Sequence, residues 1–248
     1  DRFALELITP ETSKRIEYTV SAVRESSLAK TAQGVMHDTA DAPYSISFHD
    51  QYTLLTISTF NYTKPKQYKE FIRESFRNIA EKDTDILILD LRGNYGGTPT
   101  PTVELFIHLI DEPLPFFAQE NPFYLNRWKK PLEPAADAFE GELYVLIDEA
   151  CFSMNSFLLS LLTHHNIGTV VGTPSSGGYM CSDASKNAVL RNTGLRLRYS
   201  TQVFQTAVDG QTPGIGIEPD IRVTTSIEDY LEQHDPVLEA ALSVAGIR

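Results

Sequence analysis

Ser153 stands where a charged turn, DEACF (residues 148–152), gives way to the amphipathic run MNSFLLSLL. Met154, Phe157, Leu158, Leu161 and Leu162 fall at i, i+3, i+4, i+7 and i+8, so a helix begins around Ser153 and carries that hydroxyl at its N-terminus. Unpaired backbone N–H groups and the helix dipole favour a developing negative charge at such a place. A second junction, DLRGNYGG (residues 90–97), ends in Gly96 and Gly97, which let a ligand approach main-chain N–H groups closely. A nucleophile at one junction and backbone donors at the other are what acyl transfer needs, because the tetrahedral intermediate carries charge on the former carbonyl oxygen. Each feature alone has a plainer reading. A serine opening a helix commonly serves only as its N-cap, and a glycine pair after a strand is commonly a tight turn.

The elements that must position these junctions can be read from periodicity. ILILD and ELYVLI are nearly continuous apolar runs, as expected of strands buried on both faces, and each leads into one of the junctions. IGTVVG, LRLRYSTQVF and GIEPDIRV read as three further strands. YSISFHDQYTLLTIST reads as a hairpin turning at His49, Asp50 and Gln51. Tyr68, Phe71, Ile72, Phe76 and Ile79 mark one face of a helix that Pro65 starts, PTVELFIHLI is the next helix, and SIEDYLEQHDPVLEAALSV supplies one or two closing helices. Strands alternating with helices predict an α/β fold with mainly parallel strands over residues 44–248. Residues 1–43 read as a β-rich segment, two strands between Phe3 and Val23, followed by a linker. Residues 111–140, rich in Pro, Phe and acidic side chains, read as an irregular excursion with the single Trp128. Phe116, Phe117, Phe123, Tyr124 and Trp128 are its apolar candidates for a substrate groove, or equally for a core plug.

A chain of 248 residues with 42% hydrophobic residues can bury a substantial core. Its formal net charge of -12 argues against nucleic acid or an anionic membrane as a partner, since phosphate-tracking surfaces need clustered Lys and Arg. No apolar run reaches the roughly 18 residues of a membrane-spanning helix. The two cysteines, Cys151 and Cys181, offer neither a disulfide scaffold nor metal-ligand spacing.

In their order, three segments resemble peptidase family S41, which includes the C-terminal processing proteases, the tricorn core domains and the retinoid-binding protein modules. ILDLRGNYGG is similar to the family's Asp-Leu-Arg-x-Asn-x-Gly-Gly segment, VLIDEACFSMNSFLLSLLTHHNIGTVVGTPSSGG to its nucleophile helix with the following strand and Gly-rich turn, and GIGIEPDIRV to its closing strand. The resemblance covers roughly residues 44–223. It implies a ClpP/crotonase-like core and a serine endopeptidase acting on peptide or unfolded protein substrates, with no cofactor or metal. Ser153 would be the nucleophile, and the backbone N–H of Met154 and of Gly96 or Gly97 the oxyanion hole. Cys151, two residues earlier, falls where the family does not place its nucleophile. The resemblance also implies a bacterial extracytoplasmic location, periplasmic or lipid-anchored, and suggests that residues 3–23 are the tail of a PDZ-like domain.

The general base departs from the family pattern. In the processing proteases a Lys in the turn after the next strand serves, but here Gly178 occupies that position and Ser182 the position of the accompanying Gln; Lys186 is the nearest lysine. The tricorn-like branch takes its base from a His upstream of the core, and no matching motif occurs in this chain. His164 and His165 close the helix that Ser153 opens, some three turns from the hydroxyl. His108 lies in an apolar helix, His37 in the linker and His234 in the closing helices, which leaves His49 as the best candidate within the chain. A peptide- or lipid-binding module that keeps the fold without the base is the alternative from a different class, and a crotonase-type acyl-CoA enzyme is a third.

Overall fold

The computed structural model describes residues 2–8, 15–21 and 43–247. The predicted linker, His37 included, lies outside them. Strands β1 (Arg2–Ile8) and β2 (Arg15–Ser21) form an antiparallel pair with Leu5 opposite Tyr18, as the alternating pattern predicts. The chain divides into two compact units, residues 1–42 and residues 43–248.

The second unit is built on a six-stranded sheet in the order β12-β7-β6-β5-β4-β3. Here β3 is Tyr44–Phe48, β4 Thr53–Ile57, β5 Ile86–Asp90, β6 Glu142–Ile147, β7 Thr169–Gly172 and β12 Ile221–Arg222. Only β3 is antiparallel to its neighbour; the rest run parallel. Helices α1 (Pro65–Glu81), α2 (Pro99–Phe106) and α3 (Met154–His164) cross from β4 to β5, β5 to β6 and β6 to β7. All three pack on one face, because strand order follows chain order and successive right-handed crossovers then fall on the same side. On that face Leu87, Leu89, Val145 and Ile147 join Phe76, Phe106 and Leu158 in the main core. The alternate residues Ile88, Tyr144 and Leu146 point the other way and meet Val237 and Ala241 of α5 (Pro236–Val244). Burial on both faces is the reason β5 and β6 read as unbroken apolar runs rather than as alternating ones.

One sequence expectation changes, and one open reading is decided. LRLRYSTQVF is not one strand but two, β10 (Arg196–Tyr199) and β11 (Gln202–Gln205), paired respectively with β9 (Lys186–Val189) and β8 (Met180–Asp183) in two small antiparallel ladders. The break is at Ser200 and Thr201, where the Thr201 N–H bonds to Asp183 instead of continuing the β9 ladder. The aromatic excursion is a core element. Phe116 and Phe117 are fully buried and Trp128 nearly so, with Phe117 edge-on to Phe157 of α3 at 6.1 Å and Phe106 edge-on to Phe116 at 5.3 Å. A helix face as apolar as that of α3 requires cover, and these rings supply it. They do not line a substrate groove; of the five aromatics, Phe123 and Tyr124 are the exposed ones.

α4 (Ile227–Glu232) buries none of its residues and is held by polar contacts. Ser226 and Asp229 make a capping box, and His234 donates to Asp229 Oδ1 at 2.7 Å and to Glu239 Oε2 at 2.8 Å, tying α4 to α5. Hydrogen bonds to Asp229 and then Glu239 raise the imidazole from 6.5 to about 9. A raised folded-state value stabilises fully below pH 6.5, and that contribution is lost as pH climbs through about 9. His234→Gln is therefore expected to remove the fall in thermal stability of the native protein across that window. A parallel pH profile of Tm for the variant and the wild type would overturn the assignment.

Candidate active site

The three loops that leave the C-terminal ends of β5, β6 and β7 converge, as ligand sites of parallel sheets do. The turn after β6 brings Ser153 in at φ 55 and ψ -122, a positive φ that a non-glycine residue adopts at a cost of about 1–3 kcal/mol and that recurs at functional turns. Ser153 precedes the first residue of α3 but makes no side-chain capping bond, so the plain N-cap reading fails. The half-buried hydroxyl is left unspent; among the described residues no side chain hydrogen-bonds to it.

The glycine turn lies against this serine. A Cβ on Gly96, at φ +92, would stand 2.6 Å from Phe152 O, 2.8 Å from Met154 N and 2.9 Å from Ser153 Cβ. A Cβ on Gly97 would overlap the Phe60 carbonyl, with which Gly97 forms an isolated parallel bridge. The Gly96 N–H is already committed, donating to Asn94 Oδ1 at 2.8 Å. Met154, first residue of α3, has no carbonyl a turn earlier within the helix to accept its N–H. Of the two glycines at the turn, Gly97 is the one whose N–H has no partner among the described residues.

Buried amides fix the two turns to each other. Asn94 donates to Ile57 O at 2.9 Å, and its own carbonyl accepts the Phe152 N–H at 3.3 Å and Asn155 Nδ2 at 3.0 Å. Asn155 also donates to Leu91 O at 3.2 Å. Asp148 takes the Gly93 N–H at 3.0 Å and the Ala150 N–H at 3.0 Å. The third loop closes the back, with Ser176 N–H on Cys151 O at 3.1 Å and Ser175 Oγ donating to Gly177 O and accepting the Ile217 N–H. Behind the glycine turn, Arg92 holds Asp90 at 2.6 Å and Asp235, the N-cap of α5, at 2.7 Å. Asn94, Asn155, Asp148 and Asp235 were not singled out by sequence reasoning. Asn94 lay within the quoted glycine motif, but its side chain's duties depend on partners 37 and 61 residues away.

The other candidates lie elsewhere. His49 sits in the β3–β4 turn, stacked 4.3 Å over Tyr52 and bonded to Ser47 Oγ at 3.1 Å. That turn is at the start of β4, which runs parallel to β5, whereas the glycine turn follows the end of β5. The length of a strand, about 17 Å, separates the two ends, so His49 is not a base for Ser153. His108 is a core residue, donating to Glu104 O at 2.7 Å. Gly178 lies beneath the Ile215 carbonyl with no room for a side chain, and Lys186 begins the exposed strand β9. Cys151 is fully buried; burial first, then the neighbouring Asp148 carboxylate, push its thiol well above the ordinary value, although Asp148's backbone N–H bond works in the opposite direction. It is expected to resist alkylation by iodoacetamide in the native protein and to react only on unfolding, followed by mass spectrometry; native labelling at the rate of a free thiol would contradict this.

A family model, peptidase family S41, matches residues 51–223, a span containing the sheet from β4 to β12 and all three converging loops. The chain belongs to peptidase family S41. S41 is a peptidase family, which supports a peptidase function at family level. Solved structures share the fold: mature CPAF at 16% identity over 98% of this chain and 66% of that one, with a TM-score of 0.60; a Parabacteroides merdae protein assigned as a peptidase at 19% identity over 86% and 68%, TM-score 0.60; and the photosystem II D1 C-terminal processing protease at 15% over 90% and 55%, TM-score 0.53. The S41 chain thus spans between 55% and 68% of these solved chains. No curated protein sequence matches it. Within the described residues, no helix of the S41 chain is long and apolar enough to cross a membrane.

Proposed function

We propose that this protein is a serine endopeptidase of the S41 type, with Ser153 as its nucleophile. The observation that carries the reading is the strained, uncapped Ser153 at the head of α3, set against the glycine turn. Ser153 Oγ attacks the scissile carbonyl, forming the C–O bond as the hydroxyl proton passes to a base. The carbonyl oxygen gains the negative charge, which the N–H groups of Met154 and Gly97 stabilise. Collapse expels the amine, which must receive a proton, and leaves an acyl-serine for water to hydrolyse. Gly96 serves this hole by letting the turn approach rather than by donating. The base is a group other than His49, at the opposite end of β4, His108, in the core, and His164 and His165, at the far end of α3, in keeping with the tricorn-like branch, where it lies outside the core. No cofactor enters the chemistry. Peptide or unfolded protein is the substrate, and an extracytoplasmic bacterial location fits the family.

The test is labelling of the full-length polypeptide by a fluorophosphonate probe, with Ser153→Ala beside it. Labelling that disappears in the variant is the expected result. A protein that stays unlabelled while known serine hydrolases react, or a variant that labels equally, would move the reading to a peptide-binding module that keeps the fold without the chemistry.

A further inference from the structure

Between Asp183 and Asp209 the sequence holds no carboxylate, yet Lys186, Arg191, Arg196 and Arg198 fall there, in a chain of net charge -12. All four belong to the β9–β10 hairpin. Arg196 is opposite Val189 and Arg198 opposite Asn187, so both guanidinium groups stem from one face of the ribbon; Leu197 and Tyr199 stem from the other. Every residue of β10 is exposed, as are Val189 at 65% and Leu195 at 63%. No described strand pairs with the outer edge of either β9 or β10, and the hairpin belongs to neither hydrophobic cluster. An open edge bearing apolar side chains and one sign of charge is a template for another strand.

The hairpin prolongs the β8–β11 ladder, which the chain enters just after passing Phe152. Gly177, whose Cβ would lie 3.1 Å from Phe152 Cδ2, precedes β8 by three residues, and the Thr201 N–H and hydroxyl bond to Asp183 O and Ala184 O where β8 passes into β9. From Met180 to Lys186 an extended chain covers about 20 Å, or some six substrate residues.

We propose that this hairpin is an exosite for an extended acidic segment of the substrate, which adds as a third strand along β10. The inference deepens the peptidase reading by naming the chemistry of its substrate, and it rests on that reading. The edge N–H and C=O groups of β10 hold the peptide backbone, while carboxylates at alternate peptide positions face Arg196 and Arg198. Apolar residues at the intervening positions meet Leu197 and Tyr199 on the opposite face. Charge complementarity selects this occupant: four cations with no carboxylate between Asp183 and Asp209 repel a basic peptide and attract an acidic one.

The experiment is fluorescence anisotropy with a labelled peptide of alternating Glu and Val and its counterpart of alternating Lys and Val. Both are titrated with the full-length polypeptide carrying Ser153→Ala, which prevents turnover. The Glu peptide is expected to bind at least tenfold more tightly than the Lys peptide, and to weaken at least tenfold between about 0.05 and about 0.5 M salt. Introducing Arg196→Glu and Arg198→Glu together should reverse the preference, a gain that a misfolded variant cannot show. Equal binding of the two peptides, or an unchanged preference in the reversed protein, overturns the proposal. So does hairpin-dependent binding to phosphatidylserine vesicles without peptide binding, which would assign the patch to a membrane. Fluorophosphonate labelling, read with Ser153 intact, should be the same with and without the two Arg substitutions. No labelling in either, with the peptide preference intact, would sink the hydrolase reading and leave the hairpin standing as an acidic-peptide site.

Discussion

Gly96→Ala is expected to slow fluorophosphonate acylation of Ser153 by about 100-fold or more, the loss typical of one oxyanion donor. The added Cβ would meet Phe152 O at 2.6 Å and Met154 N at 2.8 Å, and both belong to the turn that presents the nucleophile. Buried amides tie the two turns together, so relief cannot come from moving one alone. The displaced group is then the Met154 N–H, one of the two proposed donors. Gly93→Ala is the control. At φ +71 it also adopts a left-handed backbone, but nothing lies within 4 Å of the new Cβ, so the variant should lose roughly 1 kcal/mol of stability and label close to the wild-type rate. Time-courses of labelling on the full-length variants decide the matter, and equal rates for Gly96→Ala and Gly93→Ala would show that contact with Ser153 is not what the glycine protects.

The second large effect is one of stability. Arg92→Gln should destabilise the core by roughly 2–3 kcal/mol, below the 3–5 typical of a fully buried pair because water still reaches the partners. The Arg92 side chain is 24% exposed and joins Asp90, 14% exposed, to Asp235, 38% exposed. Its removal leaves two carboxylates facing each other at the base of the glycine turn and frees the N-terminus of α5. Burial alone would raise the Asp235 carboxyl, but hydrogen bonds from Arg92 and from the Leu238 N–H outweigh it and hold the group below 3.8. A depressed folded-state value stabilises above 3.8 and the contribution is lost as pH falls below it, so the variant's deficit should shrink on acidification. Chemical denaturation of the two proteins at neutral pH and near pH 3 would show this; a deficit independent of pH would mean that packing of the Arg92 stem, and not its charge, is what matters.

The sheet was legible because its strands obey a local rule. A run buried on both faces must be apolar throughout, and ILILD and ELYVLI are. Helix α1 was legible for a similar reason, Pro65 fixing its start and a 3.6-residue period fixing its inner face. The hairpins after β7 were less so. β9 and β10 are exposed on both faces, and a strand without a buried face leaves no alternation to read. The aromatic excursion gave its composition but not its direction, since Phe116 and Phe123 look alike in a sequence and only the cover required by α3 puts one inside and leaves the other in water.

By itself the sequence determined the family, through the order of three motifs, and located Ser153 at the head of a helix and the glycine pair at the end of a strand. Tertiary structure alone decided what those positions do with their hydrogen bonds. Whether a helix-initiating serine caps its own helix depends on one backbone rotation, and φ 55 turns Ser153 away from that duty. Whether Gly96 or Gly97 keeps a free N–H depends on an Asn94 side chain held by the Ile57 carbonyl of the neighbouring strand β4. His49 likewise reads as a usable base until the parallel register of β4 and β5 puts it at the wrong end of the sheet. Such facts are distances between residues far apart in the chain, and local pattern carries no information about them.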